Sequence, residues 1–263
     1  MPSRLPWILV SLGLAGCVLT PGRGMPRRYA LDSVSTTCAR APASCTTLMG
    51  KASVPVVATT VVAGTVAAVA VLTPGLKNRI QEELQRCVET ARSEVLLRHT
   101  GNFKRPTPSD EECNEWTRDA HGQRVTWAMR LGSEMHAVAI ECTRSRLNEL
   151  RPGGFSIEPC YRYDPRTGKT TFISCAEVQE LLDSGCGSDL KGTIKPDVVI
   201  HTGDPLNALA TYDFKFPCVN SSRRPQWREY PPDHPCGRLN QSDLYRDALG
   251  PVPVMLVPRI GAQ

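Results

Sequence analysis

The sequence predicts an α/β (α+β) fold, a mixed central β-sheet flanked by helices, and three observations carry it. Apolar residues recur at helical spacing over two long stretches, from about Lys77 to His99 and from about Gln123 to Leu150. Short runs rich in β-branched and aromatic residues follow, from Phe155 to Ser174 and from Ile194 to Pro217, each broken by turn residues. A polar helical stretch, Asn240 to Ala248, then leads into the apolar run "PVPVMLVP". At 263 residues, 41% hydrophobic and 22% charged, the chain has the composition of a globular protein, with room for one sizeable domain plus an appendage. A formal charge of +5 favours contact with a polyanion but does not identify one.

The N-terminal region stands apart. Arg4, the apolar run from Leu5 to Leu14 and the small residues before Cys17 have the pattern of an export signal over residues 1–16. The tetrapeptide Leu14-Ala15-Gly16-Cys17 resembles the lipobox of bacterial lipoproteins, which implies a lipid on Cys17 and a membrane anchor without a permanent span. Residues 17–51, rich in Ser, Thr, Pro, Gly and Arg, read as a tether. Residues 52–76 carry no charge and are long enough to cross a bilayer, yet their Ala, Gly and Thr content makes them weakly hydrophobic. A transient membrane insertion, a resident span and a buried or flexible segment all fit this stretch. Setting Cys17 aside leaves ten of the 11 cysteines, an even number in an exported chain, which suggests disulfides. Cys175 with Cys186 and Cys218 with Cys236 are plausibly spaced bridges, with buried thiols as the alternative; the absence of any CxxC argues against a zinc ribbon.

Residues 77–122 read as a helical linker region and 123–263 as the main domain. The first helix has Ile80, Leu84, Cys87 and Val88 on one stripe, and Ser109 with Glu112 forms a capping signal. On the second long helix Leu131, Met135, Val138 and Cys142 form the stripe, flanked by Glu134 and Glu141. Gly153-Gly154 ends it. "FSIEPCYRYDPRTGKTTFIS" reads as two short strands around a Pro-Arg-Thr-Gly turn, and a short helix over Ala176 to Leu182 follows.

The stretch "IKPDVVIHTGDPLNALATYDFKFP" reads as a hairpin whose turn centres on Pro205. Tyr212, Phe214 and Phe216 share one face of its second strand, while Thr211, Asp213 and Lys215 share the other. Residues equidistant from Pro205 oppose one another, and Asp197 and Asp213 are such a pair. Two carboxylates across a ladder repel, so a hard divalent cation between them is a natural explanation.

The order of helix with glutamate, strands, Pro196-Asp197 strand, Asp213-Phe214-Lys215 strand, helix and strand resembles the PD-(D/E)XK nuclease superfamily, the restriction-endonuclease-like fold. Gln241-Ser242-Asp243-Leu244-Tyr245 matches the Gln-x-x-x-Tyr motif seen in many of its members. The resemblance implies that Asp197, Asp213 and the Phe214 carbonyl hold Mg²⁺ (or Mn²⁺), with Lys215 orienting a water or stabilising the transition state. It adds a glutamate from the first core helix, Glu134 by preference and Glu141 next. Gln241 and Tyr245 would steady the nucleic-acid backbone or the lysine from an exposed helix face. Arg223, Arg224, Arg228 and Arg238 are candidates for phosphate contacts. His201 shares the face of Asp197 but has the profile of a satisfied polar residue.

An exported, lipid-anchored nuclease has left the cytoplasm that holds its substrate, and delivery into another cell resolves this. The architecture resembles the lipoprotein toxins that myxobacteria exchange between outer membranes, the swarming-inhibition toxins. That resemblance implies an outer-membrane lipoprotein acting on DNA or tRNA in a recipient's cytoplasm and a cognate immunity protein in the producer. A non-toxic surface lipoprotein with a nuclease-like binding domain and a scavenging extracellular nuclease are the alternatives.

Overall fold

A computed structural model describes residues 71–184, 187–190, 192–219, 224–230 and 239–263. The expected signal peptide, Cys17, the tether and residues 52–70 of the apolar segment lie outside the described residues, as do Cys186, Cys236, Arg223 and Arg238. No helix among the described residues is long and apolar enough to cross a membrane.

Helix α1, Pro74–Arg98, begins three residues earlier than its apolar stripe suggests. Pro74 occupies the first turn, where its missing N–H costs nothing, and Thr73 caps it by accepting from the Leu76 amide at 3.3 Å. Ile80, Leu84, Val88 and Ala91 are buried in the main core beside the sheet residues Val198, Ile200, Tyr212 and Phe214. The helix expected in a linker region is therefore part of the core. Helix α2, Asp110–Asn114, carries the expected capping box of Ser109 and Glu112. A small ribbon of β1, Trp116–Arg118, and β2, Arg124–Thr126, leads into α3, Trp127–Leu150.

The main sheet is five-stranded and mixed. It contains β3, Phe155–Ile157; β7, Val198–His201; β8, Ala208–Phe214; β9, Val254–Val257; and β10, Gly261–Ala262. The order across the sheet is β10-β9-β8-β7-β3, antiparallel throughout except for the parallel pair β8 and β9. Helix α5, Gln241–Leu249, joins that parallel pair, as a crossover must. Helices α1 and α3 cover one face; α5 packs on the other through Leu244 and Tyr245 against Val199. Val198 lies against Tyr212, Val199 against Thr211 and Ile200 against Ala210, which is the register centred on Pro205; a bulge after Ile200 shifts His201 onto Ala208.

The stretch from Phe155 to Ser174 departs from the sequence expectation. It forms three strands, because Phe155–Ile157 joins the main sheet as β3 while β4, Cys160–Asp164, and β5, Lys169–Ile173, form the hairpin around the expected turn. Helix α4, Cys175–Asp183, and the short strand β6, Thr193–Ile194, follow, with β6 added beside β4. The backbone passes from one sheet to the other at Glu158, a non-glycine residue at φ 48°.

Among the described residues, two disulfides fasten the helical layer. Cys87 and Cys142, one from each predicted helix stripe, join α1 to α3 with Cα atoms 5.6 Å apart. Cys218 bonds Cys113 rather than the expected Cys236. The chain leaving β8 dives beneath α1 and α3, where Phe216 and Cys218 pack near Val95, Leu131 and Met135, so nearness in space overrides nearness in sequence. Cys175 is also disulfide-bonded, and its expected bridge to Cys186 falls outside the described residues.

Candidate functional site

The site grows out of strand register. Ile157 stands against Val198, and Val198 against Tyr212. One residue further along, the same registers bring Glu158, Asp197 and Asp213 into a row across three strands, and the Glu158 amide donates to the Asp197 carbonyl at 2.8 Å. All three carboxylates are buried. Lys195 and Lys215 lie beside this row, and His136 reaches it from α3.

The row has two halves. In the first, Asp213 turns toward α5: its Oδ1 accepts from Gln241 Nε2 at 3.3 Å and from the Tyr245 hydroxyl at 3.4 Å, while Oδ2 lies 2.7 Å from Lys215 Nζ. Gln241 Oε1 accepts from Lys215 Nζ at 2.8 Å, and Gln241 Nε2 also donates to Tyr245 at 2.9 Å. One amide thus bridges the carboxylate and the ammonium, and both its ends are in use. The lysine ammonium also sits 5.8 Å from the centre of the Trp227 ring. Asn240 caps α5 by accepting from the Asp243 amide at 2.9 Å, which fixes where Gln241 begins the helix.

In the second half, Asp197 Oδ2 accepts from the Phe214 amide at 2.5 Å, and Oδ1 lies 3.6 Å from His136 Nε2. Glu158 Oε1 accepts from Lys195 Nζ at 3.0 Å and lies 3.4 Å from His136 Nε2. Burial pushes the Asp197 carboxyl well above the usual carboxylate range; His136 and the Phe214 amide oppose the shift, while the charges of Asp213 and Glu158 add to it. Burial disfavours the charged form of His136, but Asp197 and Glu158 outweigh it and raise its pKa. The group of His136, Glu158 and Asp197 offers one nitrogen and two oxygen donors within 4.8 Å of one another.

The structure brings together Asp197, Asp213, Phe214, Lys215, Gln241 and Tyr245. It does not bring Glu134, which is held by His99 Nε2 at 2.7 Å and Arg130 Nε at 2.9 Å. Helix positions two apart in sequence are separated by about 200°, so Glu134 and His136 point in different directions, and His136 is the one that faces the row. Glu141 is exposed and paired with Arg144. Gln241 and Tyr245 are fully buried, which corrects the expectation of an exposed helix face. Arg224 and Arg228 are exposed in the segment before α5. His201 lies at the far end of β7, where its Nδ1 accepts from the Gly203 amide at 3.0 Å and its Nε2 meets Ser156 Oγ at 3.0 Å.

Sequence reasoning missed His136, Glu158 and Lys195. The signal for His136 was present, since His136, Ala139, Ile140, Thr143 and Leu147 form an inward stripe adjoining the one that was read. Glu158 closes an alternating apolar strand directly before a proline, and Lys195 precedes Pro196-Asp197. A charge in either place invites the question of what it pairs with.

Gln241→Ala should remove about 1–3 kcal/mol of stability, because Asp213 and Lys215 each lose a buried partner. Thermal melts check this: a cooperative transition at lower temperature is expected, and an unchanged midpoint would mean that water replaces the amide between Asp213 and Lys215.

No family model, curated protein or solved structure matches this chain. Fold and site together define a mixed α/β protein whose five-stranded sheet, flanked by helices, carries a buried row of charged residues at one end.

Proposed function

We propose that the chain is a metal-dependent nuclease of the PD-(D/E)XK kind, hydrolysing phosphodiester bonds of DNA or tRNA. The observation that carries this reading is the Asp197 and Asp213 register, with Lys215 clamped between Asp213 and Gln241. The order α3, β3, β7, β8, α5, β9 also follows the pattern of helix, strands, helix and strand attached above to that superfamily.

Each residue has a task that suits its surroundings. Asp197 is held by the Phe214 amide and presents its other oxygen toward His136 and Glu158, a donor set suited to a divalent cation. A cation bound there would polarise the scissile phosphate and acidify a water. Asp213 and Gln241 fix the Lys215 ammonium, which is partly exposed, so its charge can meet negative charge that develops on the phosphate. Arg224 and Arg228 are exposed, so they can meet a phosphate backbone. With the expected lipid on Cys17, the domain would serve as an outer-membrane lipoprotein toxin delivered to other cells, and the producer would need an immunity protein.

Expression of the chain without its first 16 residues in a bacterial cytoplasm tests the reading. Growth arrest with fragmented DNA or tRNA is expected, relieved by Asp213→Ala. Unimpaired growth with intact nucleic acid, at expression levels matched by immunoblot, would count against it.

A further inference from the structure

His136, Glu158 and Asp197 make a donor set unlike the all-oxygen one expected from sequence. Their side chains are almost fully enclosed, at 7%, 1% and 2% residue exposure. His136 Nε2 lies 3.4 Å from Glu158 Oε1 and 3.6 Å from Asp197 Oδ1. A charge-assisted hydrogen bond would draw such atoms to about 2.7–2.9 Å. Donors ligating one ion at about 2.0–2.1 Å stand roughly 2.8–3.0 Å apart at adjacent octahedral corners and roughly 3.3–3.4 Å apart in a tetrahedron. The observed separations lie at or slightly beyond the tetrahedral spacing. Three elements deliver these donors independently: α3 brings His136, the residue after β3 brings Glu158, and the residue before β7 brings Asp197.

Lys195 supports this arrangement. Its ammonium donates to Glu158 Oε1 at 3.0 Å, and a carboxylate with about four lone-pair sites keeps acceptor capacity beyond one such bond. Hydrogen bonds of this kind orient ligating carboxylates. Asp213 faces away, its oxygens engaged by Gln241, Tyr245 and Lys215.

We infer that the metal centre is built from His136 Nε2 and one carboxylate oxygen each of Glu158 and Asp197, and that it takes a first-row transition ion such as Mn²⁺, Co²⁺ or Zn²⁺ in preference to Mg²⁺. Imidazole suits transition ions, whereas Mg²⁺ prefers oxygen ligands in near-ideal octahedra and gives up water reluctantly. Asp213 then belongs to the lysine, not to the metal. The inference rests on the metal-dependent reading proposed above, but the two can fail separately.

Mn²⁺ added to the purified, chelator-stripped full chain is the probe, followed by electron paramagnetic resonance. The spin-echo modulation should show a directly bound imidazole nitrogen, and Mn²⁺ should stay bound against about a tenfold excess of Mg²⁺. His136→Gln should abolish that modulation and weaken Mn²⁺ binding about 10–100-fold. If this variant does not fold, the wild-type spectrum alone decides. Bound Mn²⁺ without nitrogen coupling, or displaced by equimolar Mg²⁺, overturns the inference even where the chain cleaves nucleic acid. Nitrogen-coupled Mn²⁺ on a chain that cleaves nothing upholds the inference and removes the nuclease reading. No binding of either ion overturns both.

Discussion

Lys215→Ala should slow phosphodiester cleavage by about 10²–10³-fold or more, the effect of removing one donor aimed at developing negative charge. The position of the ammonium explains why the loss should fall on chemistry. Its side chain is 23% exposed, so it reaches the surface that a substrate would approach, yet Asp213 and Gln241 hold it at 2.7 and 2.8 Å. The clamp orients a charge before substrate arrives. Lys215→Arg should rescue little, because a planar fork does not fit a site built around a compact ammonium. Single-turnover cleavage with saturating metal separates this effect from binding. A Lys215→Ala chain that melts like wild type and cleaves within a few-fold of its rate would remove the lysine from the mechanism.

The second large effect concerns stability. Lys195→Ala should cost about 3–5 kcal/mol, because it leaves the Glu158 carboxylate buried at 1% exposure without the ammonium that donates to it at 3.0 Å. Replacing both partners, as Lys195→Met with Glu158→Gln, should recover most of the loss, since the penalty comes from one uncompensated charge. Saturating Mn²⁺ should also narrow the gap between Lys195→Ala and wild type, because a bound cation would take over neutralisation of Glu158. Denaturant midpoints at constant slope measure all of these. A Lys195→Ala midpoint equal to that of wild type would mean that water already reaches Glu158.

The hairpin was the most legible part of the molecule. A proline-centred turn and period-two alternation imply the register from Val198 to Ile200, and the structure pairs Val198 with Tyr212 as that register requires, but the bulge that shifts His201 onto Ala208 left no sign in the sequence. The helices were legible as stripes, but their starts were not: Thr73-Pro74 is a cap and first-turn signal that the apolar run before it obscured. The resemblance implies a glutamate on the first core helix, and Glu134, which flanks the apolar stripe, is the residue it points to. Side-chain direction decides otherwise, since Glu134 faces His99 and Arg130 while His136 faces the sheet.

Gln241 was read correctly as Tyr245's neighbour one helical turn away, as their 2.9 Å hydrogen bond shows, but not as buried. Its polarity suggested solvent, whereas three polar partners satisfy it inside. Glu158 and Lys195 were hidden for a different reason. Each closes or precedes a short strand, and only the pairing of two strands distant in sequence, β3 and β7, shows that they meet. The cysteines tell the same story, as Cys113 and Cys218 bond across 105 residues where local spacing pointed to a short loop.

Cleavage by the purified full chain is the most direct test of the central claim. Plasmid DNA and tRNA should be offered separately, with Mn²⁺, with Mg²⁺ and with excess chelator, to wild type and to Asp213→Ala. The account predicts that at least one substrate is cut by wild type with metal, that chelator stops the cutting, and that folded Asp213→Ala cuts neither. Cleavage that persists in chelator, or folded Asp213→Ala protein that cuts at the wild-type rate, would contradict it.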